Sequence, residues 1–213
     1  MIKLIFFDFD GVLAESLDIK TEAFAALFEK KGKEISGKVT GYHLKNPGVS
    51  RYEKFRYIYK NILGTPLGDS EFERLCNDFS KLVVDRVVKA PFVKGSGEFL
   101  RENRGKYRLF VLSATPDGEI KDIIRKRNMK DFFLGVHGSP GKKRDFVKEI
   151  LEKECVKPEE ALYIGDGLSD WRAAGDNDVR FIARVTEENT LFDSVGCLKI
   201  KDLCGLKGLI EAL

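Results

Sequence analysis

The chain has 213 residues, of which 43% are hydrophobic and 33% are charged. This balance is typical of a folded protein of one or two domains, and it argues against a disordered or membrane-spanning chain. The net charge of +3 is too small for a protein that binds nucleic acid through a strongly basic surface. We therefore expect a globular protein, monomeric or dimeric, without nucleic-acid or membrane partners.

The start of the chain and its cysteines both favour the cytoplasm. Residues 1–4 lack the cationic stretch and the long apolar segment of a signal peptide. The cysteines are scattered, with no Cys-x-x-Cys pair and no histidine near them, so neither a zinc site nor a disulfide framework is expected. We predict that all four thiols are free and buried: Cys76, Cys155, Cys197 and Cys204.

Short apolar runs alternate with helical patterns along the chain, which is typical of a parallel sheet covered by helices. In chain order, the predicted strands are 4–7, 109–112, 134–136, 161–164 and 180–183, with 198–200 as an additional edge strand. The predicted helices are 17–31, 50–63, 70–89, 96–104, 117–128, 143–154 and 168–175. We therefore predict the α/β fold class, with a Rossmann-like parallel sheet core and helices on both faces.

The connection between the first two predicted strands is much longer than a simple crossover. A strand–helix–strand unit needs about 30 residues, whereas the first strand ends near residue 9 and the next begins near residue 108. The intervening residues have helical apolar spacing, and the stretch Ser70 to Glu73 matches a capping box. We predict an inserted α-helical cap domain at 16–91, with 1–15 and 92–213 forming the core domain.

The first chemical motif directly follows the first predicted strand. It reads Asp8-Phe9-Asp10-Gly11, and open α/β sheets bind ligands beyond the carboxyl ends of their strands. Two carboxylates this close suit a division of labour, in which one ionised group attacks and the other, partly protonated, transfers protons. Gly11 allows a sharp backbone turn. The alternative is a turn in which an aspartate caps a helix.

The second motif, Gly165 to Asp170, also follows an apolar run. Asp166 and Asp170 are four residues apart and span a loop and the first turn of a helix. This spacing brings two hard oxygen ligands near one point, which suits Mg²⁺. The alternative is a Gly-Asp turn followed by a carboxylate at a helix N-terminus.

Two weaker signals follow the second and third predicted strands. Ser113, Ala114 and Thr115 stand at a strand-to-helix junction, where a hydroxyl and backbone N–H groups can hold phosphoryl oxygens. Lys142 and Lys143 open a helix, and one of them could neutralise phosphate charge. Taken alone, a serine helix cap and a solvated lysine pair are the commoner explanations. Charge supports the functional reading, because the four motif aspartates would repel a phosphate unless a divalent cation, a lysine and a proton offset them.

The order of these motifs, Asp-x-Asp, Ser, Lys and Gly-Asp-x-x-x-Asp, resembles that of the haloacid dehalogenase-like hydrolase superfamily. The resemblance covers the whole chain. The predicted helical insertion is similar to the cap of the branch that contains phosphoglycolate phosphatase and β-phosphoglucomutase. The resemblance implies a Mg²⁺-dependent phosphatase that hydrolyses a small phosphorylated metabolite through an aspartyl-phosphate intermediate.

The resemblance also implies catalytic roles. Asp8 is the nucleophile, and Asp10 protonates the leaving group and then activates water. Ser113 binds the transferring phosphoryl group, and Lys143 steadies Asp8 and the phosphate. Lys143 is preferred to Lys142 because it lies three residues after a proline, as in similar sequences.

Metal and substrate contacts are implied in the same way. The implied Mg²⁺ ligands are the Asp8 carboxylate, the Asp10 carbonyl and Asp166, with Asp170 as a ligand or a support behind one. The remaining implied substrate contacts are Gly11, Ala114, Thr115, Lys142 and Arg51. Arg51 ends a cap segment, Gly48 to Arg51, that looks like the substrate-specificity loop of the branch; the alternative is a surface arginine paired with Glu34 or Asp69.

Two departures within the superfamily bear on the competing functions. Dehalogenases and phosphonatases lack the second aspartate of the first motif, whereas Asp10 is present here. Mutases of this branch carry a histidine in the region of Lys20, and its absence favours a phosphatase. A phosphosugar mutase remains the enzymatic alternative, and a non-catalytic binding module on the same fold is the alternative of another class.

The other polar residues are interpreted as structural. His43 and His137 are the only histidines, and a lone histidine is more often part of the packing than of a site. The stretch 51–60 mixes basic and aromatic residues as single-strand binders do. Its apolar spacing is helical, so we interpret it as a core stripe with solvated charges.

Overall fold

The described part of the chain, residues 1–187 and 190–213, forms a six-stranded parallel sheet in the computed structural model. The strands are β1 (Leu4–Phe7), β2 (Arg108–Pro116), β3 (Gly135–Ser139), β4 (Ala161–Gly165), β5 (Arg180–Arg184) and β6 (Leu198–Ile200). They lie in the order β3-β2-β1-β4-β5-β6, and every neighbouring pair is parallel. The predicted α/β fold class is confirmed.

The helices between these strands fall into two groups. The group between β1 and β2 begins with α1 (Leu17–Phe28), α2 (Lys33–Lys45), α3 (Arg51–Tyr57) and α4 (Asp69–Lys89). A π-helical segment, Ile58–Leu63, continues α3. The helices that cover the sheet are α5 (Ser96–Glu102), α6 (Asp117–Lys126), α7 (Lys143–Glu154), α8 (Leu168–Gly175) and α9 (Leu206–Glu211).

Both faces of the sheet are covered because strand side chains alternate between the faces. In β1, Ile5 and Phe7 belong to a hydrophobic cluster that includes side chains of α5, α6 and α9. Leu4 and Phe6 belong to a second cluster with side chains of α7 and α8. All four residues of β1 are buried, as expected of a central strand in a parallel sheet.

Helices α1 to α4 pack around aromatic side chains. The rings of Phe24, Phe55 and Phe79 meet in pairs, with centroids 4.7, 5.5 and 6.1 Å apart. The chain leaves the sheet and returns to it at one place, since the Glu15 amide donates to the Pro91 carbonyl at 2.9 Å. This adjacency supports a cap domain with the predicted limits of 16 and 91, which stay a prediction.

The helices differ from the predicted ones in two respects. The sequence pattern does not predict α2 or α9. In α2, Gly37 and Gly41 each cost about 1 kcal/mol relative to alanine, so this helix depends on its packing against α1. The predicted capping box at Ser70 is wrong, because α4 begins at Asp69 after Gly68 and no side chain caps it.

The cysteines differ from the prediction in their burial. All four are free, but Cys155 and Cys204 are exposed and the other two are only partly buried. The predicted burial is therefore wrong. Within the described residues, no helix is long and apolar enough to cross a membrane.

Candidate active site

The carboxyl ends of the central strands bring the sequence motifs together. β1 lies between β2 and β4 in the sheet. Asp8 directly follows β1, Asp166 directly follows β4, and Ser113 lies in the last part of β2. Because parallel strands end at the same edge of a sheet, residues far apart in sequence meet at this edge.

Three buried aspartates form a compact cluster there. One carboxylate oxygen from each of Asp8, Asp166 and Asp170 lies within 4.8 Å of the other two. Burial is the main cause that raises the pKa of Asp8 to about 7, and the nearby carboxylates add to it. Burial, Asp8 and Asp170 likewise raise the pKa of Asp166 well above its usual value. The cluster is therefore a place where positive charge is strongly favoured.

Lys143 supplies part of this positive charge from the start of α7. Its Nζ lies 3.0 Å from an Asp8 oxygen and 2.7 Å from an Asp170 oxygen. Burial alone would lower the pKa of Lys143, but the attraction of Asp170 and Asp8 outweighs it and raises that pKa. Lys142 is exposed. Of the two candidate lysines, Lys143 is thus the one that contacts the predicted nucleophile.

Asp170 holds this lysine in place. Besides Lys143, the Tyr163 hydroxyl donates to Asp170 at 2.9 Å and the Gly167 amide donates to it at 3.1 Å. Three donors therefore share its two oxygens, and the residue is fully buried. Of the two roles that the sequence left open for Asp170, this geometry favours the support of Lys143 over direct metal binding.

Asp10 has a different environment from Asp8. The Ser16 hydroxyl donates to Asp10 at 2.6 Å, the Thr115 hydroxyl donates at 3.2 Å, and the Lys20 ammonium pairs with the same carboxylate. Burial would raise the pKa of Asp10, but Lys20 and the two hydroxyls outweigh burial and lower it. This arrangement favours the carboxylate form of Asp10, which is the reverse of the predicted order, with Asp10 partly protonated and Asp8 ionised; the role of Asp10 in proton transfer stays a prediction.

The predicted phosphate contacts in β2 divide into two kinds. Ala114 lines the cavity beside the aspartates. Ser113 is buried, and its Oγ accepts from the Thr115 amide at 3.1 Å. The Thr115 hydroxyl is engaged with Asp10, and the Lys20 ammonium donates to it at 2.9 Å. Thr115 therefore holds Asp10 rather than a substrate, which corrects its predicted role; the role of Ser113 stays a prediction.

Gly11 is required by the turn that follows Asp10. Its φ is +77°, in the region that favours glycine, and a Cβ there would overlap an Asp166 carboxylate oxygen. The absence of a side chain thus allows Asp166 to approach the first motif. A contact of Gly11 with substrate stays a prediction.

A cavity of about 590 Å³ opens beside these carboxylates, between the core and the cap helices. Asp8, Asp10 and Asp166 line its core wall, and His43 and Lys54 line its cap wall. The volume is in the range of pockets for small molecules.

The donor set fits a divalent cation of the hard class. Asp8 and Asp166 offer neighbouring carboxylate oxygens, which Mg²⁺ prefers over nitrogen or sulfur. The raised pKa values of both carboxyls reflect burial and mutual repulsion, and a bound cation would counter both.

Arg51 lies outside this cavity. Its guanidinium donates to Glu119 of α6, with Nη1 and Oε2 3.0 Å apart, and to the Ser80 hydroxyl at 2.7 Å. The Ser80 hydroxyl in turn donates to Glu119 at 2.6 Å, and the Arg51 side chain is 4% exposed. The predicted substrate contact of Arg51 is corrected, and so is the alternative of a surface pair, because the guanidinium joins a cap helix to a core helix.

Arg51→Met is expected to destabilise the protein, because a nearly buried Glu119 carboxylate would lose its cation. Breaking a buried pair costs about 3–5 kcal/mol of unfolding free energy. Urea titration followed by circular dichroism measures this loss. The double variant Arg51→Met/Glu119→Gln should recover part of it.

The matched control is Lys38→Met, which breaks a pair whose side chains are 57% and 80% exposed. It should cost less than about 1 kcal/mol. Equal, small losses in Arg51→Met and in the control would contradict the assignment of a buried cap–core pair.

Three side chains that hold the aspartates were not predicted as site residues: Ser16, Lys20 and Tyr163. Ser16 and Lys20 are four residues apart at the start of α1, so both reach one point beside Asp10. That spacing is visible in the sequence and could have signalled the pair. The sequence gives no such signal for Tyr163, because a tyrosine within an apolar strand is expected to pack in the hydrophobic core.

Comparison with known proteins places the chain in a family. Residues 5–184 match the model of the haloacid dehalogenase-like hydrolases. The chain belongs to this family and is a hydrolase, as the resemblance of the motifs predicts. The phosphorylated carbohydrates phosphatase of Thermotoga maritima is 26% identical over 181 residues, which cover 81% of this chain and 80% of that protein. The phosphoglycolate phosphatase of Vibrio vulnificus is 25% identical over 197 residues, with coverages of 81% and 79%.

Solved structures share the complete fold. CbbY from Rhodobacter sphaeroides, in complex with phosphate, superposes with a TM-score of 0.74 at 20% identity over 97% of this chain and 96% of that one. The β-phosphoglucomutase from Clostridium difficile superposes with a TM-score of 0.76 at 16% identity over 99% and 96%. These likenesses show that the chain shares the fold of these structures.

Proposed function

We propose that this protein is a Mg²⁺-dependent phosphatase that hydrolyses a small phosphorylated metabolite through an aspartyl-phosphate intermediate. The observation that carries the proposal is the buried Asp8 carboxylate, 3.0 Å from Lys143 Nζ and clustered with Asp166, beside a cavity for a small molecule. The phosphatase names of the two curated relatives support the same activity.

The reaction consists of two displacements at phosphorus. In the first, an Asp8 oxygen attacks the phosphorus and the ester P–O bond breaks; the leaving oxygen takes the proton that Asp10 has accepted from the monoanionic phosphate ester on binding. In the second, the Asp10 carboxylate takes a proton from water as the water oxygen attacks the phosphorus. The bond between phosphorus and Asp8 then breaks, phosphate leaves, and the proton on Asp10 passes to phosphate or solvent, which returns Asp10 to its carboxylate form.

The residues around Asp10 support the second displacement. Ser16, Lys20 and Thr115 favour its carboxylate form, which is the form that removes a proton from water. They also hold the carboxylate in one orientation, so that water is activated at a defined position.

Positive charge near Asp8 supports both displacements. Lys143 offsets the charge of Asp8, and it is proposed to stabilise the phosphoryl oxygens once the phosphoryl group is attached to Asp8. When bound by Asp8 and Asp166, Mg²⁺ supplies further positive charge for the phosphoryl oxygens. The Ser113 hydroxyl is proposed to bind one of those oxygens.

The phosphosugar mutase is the competing reaction on the same site, since it would return the phosphoryl group from Asp8 to a sugar. Lys20 stands where the resemblance expects a histidine in mutases, and its ammonium pairs with Asp10. This pairing favours hydrolysis as the proposed reaction.

A panel of phosphorylated metabolites, assayed with Mg²⁺ for free phosphate, tests the proposal. Asp8→Asn protein serves as the blank for contaminating phosphatases. Phosphate release from at least one compound by the parent alone is expected. An isomerised sugar phosphate without free phosphate would indicate the mutase, and no reaction with any compound would overturn the proposed function.

Chelation of Mg²⁺ is expected to reduce turnover by at least about 100-fold, consistent with metal stabilisation of phosphoryl charge. Added Mg²⁺ should restore the rate, whereas Ca²⁺ should restore little of it. Ca²⁺ takes more ligands at about 2.3–2.6 Å than Mg²⁺ does at about 2.0–2.1 Å, so it would misplace the Asp8 oxygen. Initial rates after chelation and readdition measure this, and full activity in excess chelator would refute the metal assignment.

A further inference from the structure

Lys54 is a buried cation on the cap wall of the active-site cavity. It is 3% exposed, and it lines the cavity together with His43. Its Nζ lies 2.9 Å from His43 Nδ1. Among residues 1–187 and 190–213, no carboxylate forms an ion pair with it; Asp166 and Asp10 act on it only at longer range. Lys54 thus brings to the cavity a charge that no carboxylate of these described residues pairs with.

Two other cations of the cavity wall, Lys20 and Arg184, are already paired, and a further one, Lys45, is exposed to solvent. Lys20 is engaged with Asp10. The Arg184 guanidinium pairs with the Glu15 carboxylate at 2.6 Å. These contacts explain how those two charges are tolerated at partly or fully buried positions. Lys54 has no carboxylate partner among the described residues; besides His43, its ammonium faces the Phe24 ring at 5.5 Å from the ring centre, a weaker contact than an ion pair.

The contact with His43 satisfies only part of the Lys54 ammonium. Burial lowers the pKa of His43 to about 2, so the ring is neutral and its Nδ1 accepts one hydrogen bond. An ammonium group has three donors, and the other two have no acceptor among the described residues. Burial also lowers the pKa of Lys54 to about 7. A bound anion would accept the remaining hydrogen bonds and stabilise the charged form.

We propose that Lys54, supported by His43, binds a second anionic group of the substrate, either a carboxylate or a further phosphate. The inference rests on the proposed phosphatase function, in which the transferred phosphoryl group meets Asp8 on the core wall. Lys54 faces the same cavity from the cap wall. The substrate class is therefore a small phosphomonoester with an anion at its other end.

This arrangement also predicts discrimination against substrates without that anion. A substrate with a neutral end group would lie against the cap wall without accepting hydrogen bonds from Lys54. Two N–H donors of the buried ammonium would then lack an acceptor. Sites with buried polar groups reject analogues that leave those groups unpaired. Lys54 would thus set specificity without taking part in the chemical steps at Asp8.

Two matched pairs of compounds test the proposal on the full-length protein with Mg²⁺. 3-Phosphoglycerate is compared with glycerol 3-phosphate, which replaces the carboxylate by a hydroxymethyl group. Fructose 1,6-bisphosphate is compared with fructose 6-phosphate, which lacks the second phosphate. p-Nitrophenyl phosphate, with no distal anion, reports the basal activity. Each compound is measured as a substrate and as a competitor of p-nitrophenyl phosphate hydrolysis.

The parent should prefer the anion-bearing member of at least one pair by about 10- to 100-fold, as expected for charge-assisted hydrogen bonds. Lys54→Met and Lys54→Gln should lose this preference, so that the anion-bearing and the neutral member of the pair react within about 2-fold of each other. Lys60→Met, which removes an exposed cap lysine outside the cavity, should keep both the preference and p-nitrophenyl phosphate hydrolysis. The pair that shows the preference distinguishes a carboxylate from a second phosphate.

Unfolding midpoints separate a binding role from a structural one. Lys54→Met should raise the midpoint, because an apolar chain of similar length replaces a buried ammonium; a structural lysine would lower it when removed. A preference below 2-fold in the parent for both pairs, or one that survives in both Lys54 variants, would overturn the inference. A parent that hydrolyses no phosphomonoester overturns the proposed function first, and the inference with it.

Discussion

Asp8→Asn is expected to remain folded while phosphate release falls by a factor of about 10⁴ or more, the scale seen when a catalytic nucleophile is removed. The amide keeps the shape of the carboxyl group but cannot supply the anionic oxygen that attacks phosphorus. Asp8 sits where its negative charge is opposed by burial and by Asp170 and Asp10. The protein therefore retains a destabilising charge at the position where the proposed chemistry needs it.

Two opposite effects should leave the stability of Asp8→Asn close to that of the parent. The substitution relieves repulsion among the buried carboxylates. It also removes one acceptor, since the Asp8 oxygens now accept from the Phe9 amide at 2.7 Å and from Lys143. We expect thermal midpoints within about 4 °C of each other, which corresponds to roughly 1 kcal/mol. Phosphate release near the parent rate by the folded variant would contradict the covalent mechanism.

Lys143→Met is expected to lower turnover by about 10²–10³-fold, the usual effect of removing one group that stabilises transition-state charge. It should also destabilise the protein by about 3–5 kcal/mol, because buried Asp8 and Asp170 lose their shared cation. Lys142→Met is the matched control, since it removes the neighbouring exposed lysine from the same loop. Assays of phosphate release and urea titrations of both variants measure these effects.

A double-variant cycle tests whether Lys143 acts on Asp8 directly. In Asp8→Asn protein, removal of Lys143 should cost less stability than in the parent, because one of its two carboxylate partners is gone. Equal costs in the two backgrounds would show that Lys143 is held by Asp170 alone. Equal activity of Lys142→Met and Lys143→Met would contradict the choice between the two lysines.

The strands and the first and last motifs were predictable because their signals are local. β1 is an uninterrupted apolar run that ends at Asp8, and β4 is another that ends before Asp166. In a parallel sheet, both ends must lie at the same edge, so adjacent strands bring the two aspartates together. No side-chain contact has to be known for this step.

The sequence provided weaker evidence where the outcome depends on a shift of a single residue or on packing against another helix. Lys142 and Lys143 are equivalent in composition, and only the start of α7 at Lys143 decides which of them turns inward. Helix α2 is a second case, because its two glycines lower its helix propensity, so that the sequence does not predict it. Packing against α1 stabilises this helix. In both cases the deciding energy comes from burial against another element, which a local pattern does not contain.

The amino-acid sequence by itself determined the α/β class, the position of the helical insertion and the place of Asp8, Asp10 and Asp166, because these follow from apolar runs and from the direction of parallel strands. Only the tertiary structure decided which groups surround them. It placed Lys20 on Asp10, paired Arg51 with Glu119 of the core, and left Lys54 as a buried cation in the cavity. These outcomes depend on distances between elements that are far apart in the chain. Burial then determines how strongly each charge interacts with its neighbours.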